Sequence, residues 1–256
     1  MHQLLKLGLQ AVRLRVKGSF NSFRIYTSIR YHKTFHVPTK TTLISLLGAA
    51  IGWNEAEIES MYSRIRTNAL LDRHNGTMTD LWSITKIKTD APDKPESSLV
   101  SREMLFEPEY TIYYNISPNG NMRNMQYDDI LLAFNDPAFP LTLGRSDEMI
   151  EILEKPKIIE LISHAINEDH YYRNTILPFN YREYFDGYER KVVKQGYTFN
   201  LPQVLNIPTG FEINQTKIRK PSSYLVVTLV YDTAVKIINR CDGWLDNEDR
   251  RYLYLY

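Results

Sequence analysis

The chain has 256 residues, a length that fits one large domain or two small ones with a substantial buried core. Hydrophobic residues make up 43% and charged residues 24%, which excludes a fibrous, largely disordered or membrane-embedded protein. The sequence has neither an apolar run long enough to cross a bilayer nor a secretory signal, so we expect a cytoplasmic protein without membrane contact. Cys241 is the one cysteine, which excludes an internal disulfide and a multi-cysteine metal site.

The net charge of +1 conceals a strong asymmetry along the chain. Residues 1–54 contain eight lysines and arginines and no acidic residue, whereas the other 202 residues carry 23 basic and 30 acidic side chains, a net charge of −7. A concentrated basic region favours binding to a polyanion, because each cation near a phosphate releases condensed counterions. By charge alone, a surface that meets an acidic protein or a solvated basic face fits equally well.

Strict alternation predicts a first strand from Gln10 to Lys17, with apolar side chains on one face and cations on the other. The inner face carries Val12, Leu14 and Val16, and the outer face carries Ala11, Arg13, Arg15 and Lys17. The next segment, residues 20–36, interleaves aromatic rings with cations and two histidines. Such rings can stack on unpaired bases while the cations hold phosphates, although rings that anchor a long loop to the core are an equally valid interpretation.

A helix is expected after Pro38, because threonines that can cap it precede apolar residues at helical spacing up to Gly52. The free amides at its N-terminus, together with Lys40, Thr41 and Thr42, form a candidate phosphate seat.

Strands and helices follow without regular βαβ spacing, which predicts a mainly antiparallel α+β fold in a single domain, residues 1–256. The predicted strands are 80–88, 99–106, 110–116 and 224–231. The predicted helices are 54–66, with Asn54 and Glu57 as a capping pair, 128–135 and 158–166. Residues 89–98 hold prolines and acidic residues and fit the tip of a hairpin or arm. The elaborated C-terminal half is 153–256.

Enzyme signatures are weak. The sequence contains neither a glycine-rich phosphate loop nor a G-x-S-x-G elbow. His32 and His36 would face one metal on a helix, but their β-prone surroundings argue against a metal site. The acidic residues Asp246, Glu248 and Asp249 are interpreted as a solvated turn. A metal-free ribonuclease needs only a histidine, lysine or tyrosine placed by folding, so this alternative stays open.

Several segments carry a more specific pattern. They are Phe23-Arg24, His36 to Ile44, the small-residue helix Leu46 to Gly52, Arg102 to Leu105, and Phe139 to Asp147. Together they resemble the Cas-five family of CRISPR-associated proteins, within the RAMP superfamily. The resemblance implies a ferredoxin-like, RNA-recognition-type antiparallel sheet with a β-hairpin thumb at residues 86–105.

The resemblance also implies a function. It is that of a non-catalytic subunit of a type I Cascade antiviral surveillance complex, which holds the 5′ handle of the CRISPR RNA and caps the backbone filament without a metal or cofactor. The implied partners are the CRISPR RNA, Cas-seven backbone subunits, the Cas-eight large subunit and, indirectly, a Cas-six-type nuclease, with target DNA a further candidate. The expected RNA-binding residues are Arg13, Arg15, Lys17, Arg24, Arg30, Lys33, Lys40, Thr41, Thr42, Lys86, Lys88, Arg102 and Arg145.

Two alternatives remain. In one subtype the Cas-five protein itself cuts the precursor RNA without a metal. Here the acid, base and electrostatic stabiliser would come from His32, His36, Tyr26, Tyr31 and Lys33. The other alternative is a generic single-strand-binding module that uses the same basic and aromatic surface.

Overall fold

Antiparallel strands dominate the part of the chain that the structure, a computed structural model, describes: residues 8–26, 28, 31–88, 91–117, 125–166, 171–189, 201–213, 219–231, 233–237 and 241–256. The N-terminal elements are β1 (Gly8–Gly18), β2 (Phe20–Asn21), β3 (Phe23–Arg24), β4 (Tyr31–His32), β5 (Thr34–Phe35), α1 (Lys40–Ile51), α2 (Glu55–Met61), β6 (Ile65–Arg73), β7 (Thr77–Lys88), β8 (Ala91–Phe106), β9 (Glu109–Ile116) and α3 (Tyr127–Asn135). The C-terminal elements are β10 (Ile150–Ile166), β11 (Thr175–Leu177), a 3-10 turn (Tyr181–Glu183), β12 (Phe185–Glu189), β13 (Gln203–Ile213), β14 (Arg219–Val230), β15 (Ala234–Ile237), β16 (Cys241–Asp246) and β17 (Arg251–Leu253). The α+β prediction is confirmed.

A six-stranded antiparallel sheet of order β17-β16-β10-β1-β9-β6 forms the centre of the fold. The predicted first strand is confirmed as β1, which lies between β10 and β9. Its alternation buries Val12, Leu14 and Val16 in a core shared with α1 and α3. The helices therefore lie against one face of the sheet, and this packing fixes the register of β1.

The opposite face of β1 carries its three cations, as predicted, and carboxylates from other segments pair with all three of them. The side chain of Arg13 is only 4% exposed, and its Nη1 lies 2.6 Å from Oδ2 of Asp246. Arg15 pairs with Asp249 at 2.7 Å. Burial tends to raise the pKa of Asp249, but the hydrogen bond from Arg15 and the charges of Arg13, Arg15 and Arg251 together hold that pKa below its ordinary value. Asp246 is thus a buried counter-charge and Asp249 a partly buried one, rather than parts of a solvated turn.

The carboxylates that pair with the cations of β1 come from segments that are distant in the sequence. Strand β16 extends the sheet beside β10, and the turn that follows it brings the acidic residues to β1. Tyr113, on β9, donates a hydrogen bond of 2.9 Å to the same Asp246 carboxylate. Lys17, the last outward cation of β1, lies 3.4 Å from Glu107. A local pattern could not reveal these partners, because most of them are more than 200 residues from β1.

The first predicted helix is confirmed as α1. Thr39 is its N-cap and accepts a hydrogen bond from the Thr42 amide. Gly52 ends the helix with φ +92°, a left-handed conformation that glycine adopts without strain, and its amide donates to the Gly48 carbonyl. The predicted pair of Asn54 and Glu57 caps α2 reciprocally, with hydrogen bonds of 2.7 and 3.1 Å.

Two of the predicted helices differ in the structure. Helix α2 ends at Met61 rather than near residue 66, because Ile65 begins β6 and pairs with β9. The helix predicted over 158–166 is wrong, since this segment belongs to β10. Strand β10 pairs with β1 on one side and β16 on the other. Backbone pairing on both sides outweighs a short apolar pattern that fits helix and strand alike. The predicted helix at 128–135 is confirmed as α3.

Strands β7 and β8 form a long antiparallel hairpin, from Thr77 opposite Leu105 to Lys88 opposite Ala91. The strands predicted at 80–88 and 99–106 are confirmed, and so is the strand at 110–116 as β9. Residues 91–98 lie in the paired strand β8, which agrees with the expected hairpin and not with a flexible arm, and residues 89 and 90 lie outside the described residues.

The C-terminal half adds a three-stranded sheet, β11-β14-β13, and a strand pair, β12-β15. The predicted strand 224–231 is confirmed as part of β14, but it is buried on one face only. Val227 and Leu229 join the main core, whereas Tyr224 and Val226 are exposed. None of the described helices is long and apolar enough to cross a bilayer.

Candidate nucleic-acid interface

A cleft of about 310 Å³ lies where the first turns of α1 meet strands β3 and β4, the turn after α3, and strand β13. Among the described residues that line it, four carry a positive charge and none carries a negative charge. The four cations are Arg24, Lys33, Arg102 and Arg145. A cleft of this composition attracts anions, because low-dielectric walls lined by one sign of charge focus the field inside.

The N-terminal end of α1 contributes hydroxyl groups to the cleft. The Thr39 hydroxyl lies 2.8 Å from that of Thr41 and 3.0 Å from that of Thr42, and all three residues line the cleft. No acidic residue stands in the first turn of the helix, so the partial positive charge of the helix terminus is not offset there. Thr41 and Thr42 of the predicted phosphate-binding helix terminus therefore lie at the cleft.

Arg145 is placed by a turn that is built around a buried carboxylate. Glu148, 3% exposed, accepts hydrogen bonds from the amides of Ser22 at 2.7 Å and Arg145 at 3.0 Å, and from the Ser22 hydroxyl. Burial raises the pKa of Glu148. Gly144 has φ +115°, and a Cβ there would clash with the Glu148 carboxylate. Only glycine fits this position, and it directs the chain so that the next residue reaches the cleft.

Two arginines share one tryptophan at the wall of the cleft. The guanidinium carbon of Arg145 lies 3.8 Å from the ring centroid of Trp82, and that of Arg102 lies 4.6 Å away. Arg102 is also paired with Asp80 at 3.2 Å and with Asp147 at 3.5 Å. Its charge is compensated within the protein, whereas Arg145 is 37% exposed in its side chain and faces the cleft.

His32 is the histidine among the described residues that line the cleft. It is 9% exposed, and its Nδ1 is buried without a hydrogen-bond partner. Burial, together with the positive charges of Arg24, Arg145 and Arg102, lowers the pKa of His32. The imidazole is therefore neutral at pH 7. A buried ring nitrogen without a hydrogen-bond partner is rare in folded proteins, because its desolvation lowers stability.

The structure brings together six of the thirteen predicted RNA-binding residues. They are Arg24, Lys33, Thr41, Thr42, Arg102 and Arg145. Lys40 is buried and does not line the cleft; burial and the nearby Arg66 lower its pKa to about 8. Residues Arg13, Arg15 and Lys17 lie on the opposite face of the sheet in ion pairs. Arg30 and the side chains of Lys86 and Lys88 lie outside the described residues.

Several residues of the site were not predicted. Thr39 and Ser22 line the cleft, and Trp82 and Glu148 hold its arginines. Glu148 comes one residue after the segment that carries the resemblance, so extending that segment would have included it. Trp82 belongs to a strand whose contact with the turn after α3 is purely tertiary, and nothing in its local sequence indicates that role.

The fold and the cleft define an α+β protein with an antiparallel central sheet and a cationic site suited to phosphate groups. A family model described as "CRISPR-associated protein (Cas_Cas5)" matches residues 11–190, and the chain belongs to this family. The family predicted from the sequence is thereby confirmed. A search of curated proteins found no match.

Solved structures are similar to this chain at low sequence identity. A chain of a "CRISPR RNA-guided surveillance complex" is 17% identical with a TM-score of 0.51, and the match covers 91% of each chain. A "CRISPR protein from Archaeoglobus fulgidus" is 10% identical with a TM-score of 0.47, over 95% of this chain and 97% of that one. At such identities the similarity bears on the fold alone.

Proposed function

We propose that this protein is a non-catalytic subunit of a type I Cascade complex and that its cleft holds backbone phosphates of the 5′ handle of the CRISPR RNA. One observation carries the proposal: cations, threonine hydroxyls and a helix N-terminus converge on a cleft with no carboxylate among its described lining residues. Phosphate oxygens accept hydrogen bonds from all three kinds of donor. In this proposal the protein caps the filament of Cas-seven subunits and contacts the Cas-eight subunit.

The strand order supports a ferredoxin-like interpretation of the fold. The central strands β10-β1-β9-β6 follow the split βαβ pattern, with α1 between β1 and β6 and α3 between β9 and β10 along the chain. In this interpretation the hairpin β7-β8 is the thumb. The sheet face opposite the helices holds the ion pairs of Arg13 and Arg15, so the RNA would bind at the end of α1 rather than on that face.

A specific observation also favours the ribonuclease alternative. His32, Tyr26 and Lys33, three of the five residues considered for cleavage, line the cleft together. A neutral histidine is the form that acts as a general base. The other two residues are directed elsewhere, since the Tyr31 hydroxyl lies 3.1 Å from that of Thr79 and the His36 ring lies 5.6 Å from the His74 ring.

Binding of labelled handle RNA to the purified protein in chelator tests both functions. We expect Arg24→Ala to weaken binding roughly five-fold and to lower the slope of log K against log salt by about one phosphate contact. Arg73→Ala is the matched control, because Arg73 is exposed at the end of β6 and does not line the cleft. Equal affinity and slope for the two variants would refute the proposed interface.

Denaturing gels of the same samples distinguish the non-catalytic subunit from the ribonuclease, because they show whether the RNA is cut. Intact RNA bound in preference to a scrambled handle supports the structural subunit. Cleavage at one position, abolished by His32→Ala, would show that the subunit is a ribonuclease. Binding without preference for the handle would identify a generic single-strand-binding module.

A further inference from the structure

Trp82 connects the β7-β8 hairpin to the wall of the cleft. It lies on β7 opposite Val100 of β8, and it does not line the cleft itself. Its ring lies within cation–π distance of the guanidinium groups of Arg145 and Arg102. A single side chain of the hairpin thus contacts both arginines at this wall.

The two arginines are held in different ways. Arg102 is 5% exposed, and carboxylates from both sides fix it: Asp80 on the hairpin, and Asp147 and Glu148 on the turn after α3. Among the residues that the structure describes, the carboxylate that pairs with Arg145 is that of Asp147, at the long distance of 3.9 Å. Burial and the positive charge of Arg102 lower the pKa of Arg145. The close contact of Arg145 is the Trp82 ring, whose negative face offsets the repulsion.

We infer that Trp82 is a positioning residue: its ring holds the Arg145 guanidinium at the wall of the cleft and thereby couples the position of the β7-β8 hairpin to the affinity for RNA. The inference rests on the proposed function. Arg145 pairs with phosphate only while Trp82 keeps the guanidinium plane in place. A shift of the hairpin displaces the ring, and the cleft then loses a preorganised donor.

A double-mutant cycle tests the inference, with the affinity for labelled handle RNA and its salt slope as readouts. We expect Trp82→Leu to weaken binding about five-fold and to lower the slope, because a cation–π contact of partly buried groups is lost. On the Arg145→Ala background the same change should have no effect, since Arg145 is no longer there to be positioned and Arg102 stays fixed by its carboxylates. Leu81→Ala is the control, because Leu81 is 62% exposed on the neighbouring position of the same strand.

A graded series keeps the test independent of how well one variant folds. Trp82→Phe retains an aromatic face and should lose less affinity than Trp82→Leu. An equal loss with and without Arg145, or a larger loss for Phe than for Leu, would overturn the positioning role. If Arg145→Ala and Arg24→Ala both bind like the parent protein, the proposed function fails instead. The two failures are therefore distinguishable.

Discussion

Lys40 should destabilise the folded protein at neutral pH. It is 8% exposed, and burial together with the Arg66 guanidinium lowers its pKa from 10.5 to about 8. The folded state therefore holds this proton less tightly than the unfolded chain does. By linkage, the difference corresponds to about 3 kcal/mol of lost unfolding free energy at pH 7.

The sign of the pH dependence follows from the two pKa values. Below pH 8 the lysine is protonated in both states, and the full penalty is present. Between pH 8 and 10.5 the folded state has already released its proton while the unfolded chain still holds it, so the penalty shrinks as pH rises. Lys40→Met removes the charge at every pH. The expected gain in unfolding free energy is about 3 kcal/mol at pH 7, about 2 kcal/mol at pH 9 and under about 0.5 kcal/mol at pH 10.5.

Urea unfolding of the parent and the variant at these three pH values measures the gain. Lys33→Met is the matched control, because Lys33 is exposed and should give little change in stability. No gain at pH 7 would refute the buried-charge argument. A gain that stays constant from pH 7 to 10.5 would also refute it, since it would come from better packing of methionine.

Three further predictions concern the buried charges, the glycine turn and the cysteine. Asp246→Asn should cost about 2 kcal/mol in urea unfolding, because the buried Arg13 guanidinium loses its fully buried counter-charge and keeps only the more exposed Glu248 and Asp249. Arg13→Met combined with Asp246→Leu should restore part of the loss, since the buried Tyr113 hydroxyl then lacks its acceptor; a cost under about 1 kcal/mol for Asp246→Asn would contradict a buried pair. Gly144→Ala should lower both stability and RNA affinity, because φ +115° and the clash with Glu148 force the turn to move, and unchanged RNA affinity would show that the turn does not place Arg145. The thiol of Cys241, with its pKa raised by burial to about 11, should react with iodoacetamide at pH 8 about 100-fold more slowly in the folded protein than in urea, and equal rates would show an exposed thiol.

Local chemistry was enough to predict the elements that are decided within a few residues. The alternation around Val12 to Val16 predicted β1 because a strand repeats every two residues. Helix α1 was predicted from its threonines and Gly52, which satisfy the free groups at its two ends. The same holds for the capping pair of Asn54 and Glu57, whose hydrogen bonds span three residues.

Predictions failed where a distant segment decides the outcome. Residues 158–166 have an apolar pattern compatible with a helix, and pairing with β1 and β16 turns them into a strand. The alternation placed Arg13 on the outer face of β1 but could not show that it is buried there, because its partner, Asp246, lies 233 residues further along the chain. Sequence periodicity specifies which face a side chain occupies, but not what covers that face.

The sequence alone was enough to predict the family, the central strand and the helix α1, because motifs and short-range patterns carry this information. It also singled out Arg24, Lys33 and Arg145, which line the cleft. Tertiary structure decided which cations reach the cleft and which are neutralised. It buried Arg13 and paired the partly buried Arg15 with the turn after β16, and it placed Trp82 against Arg145. The physical reason is that the free energy of a charged side chain depends on its desolvation and on its partners, and folding brings both from remote parts of the chain.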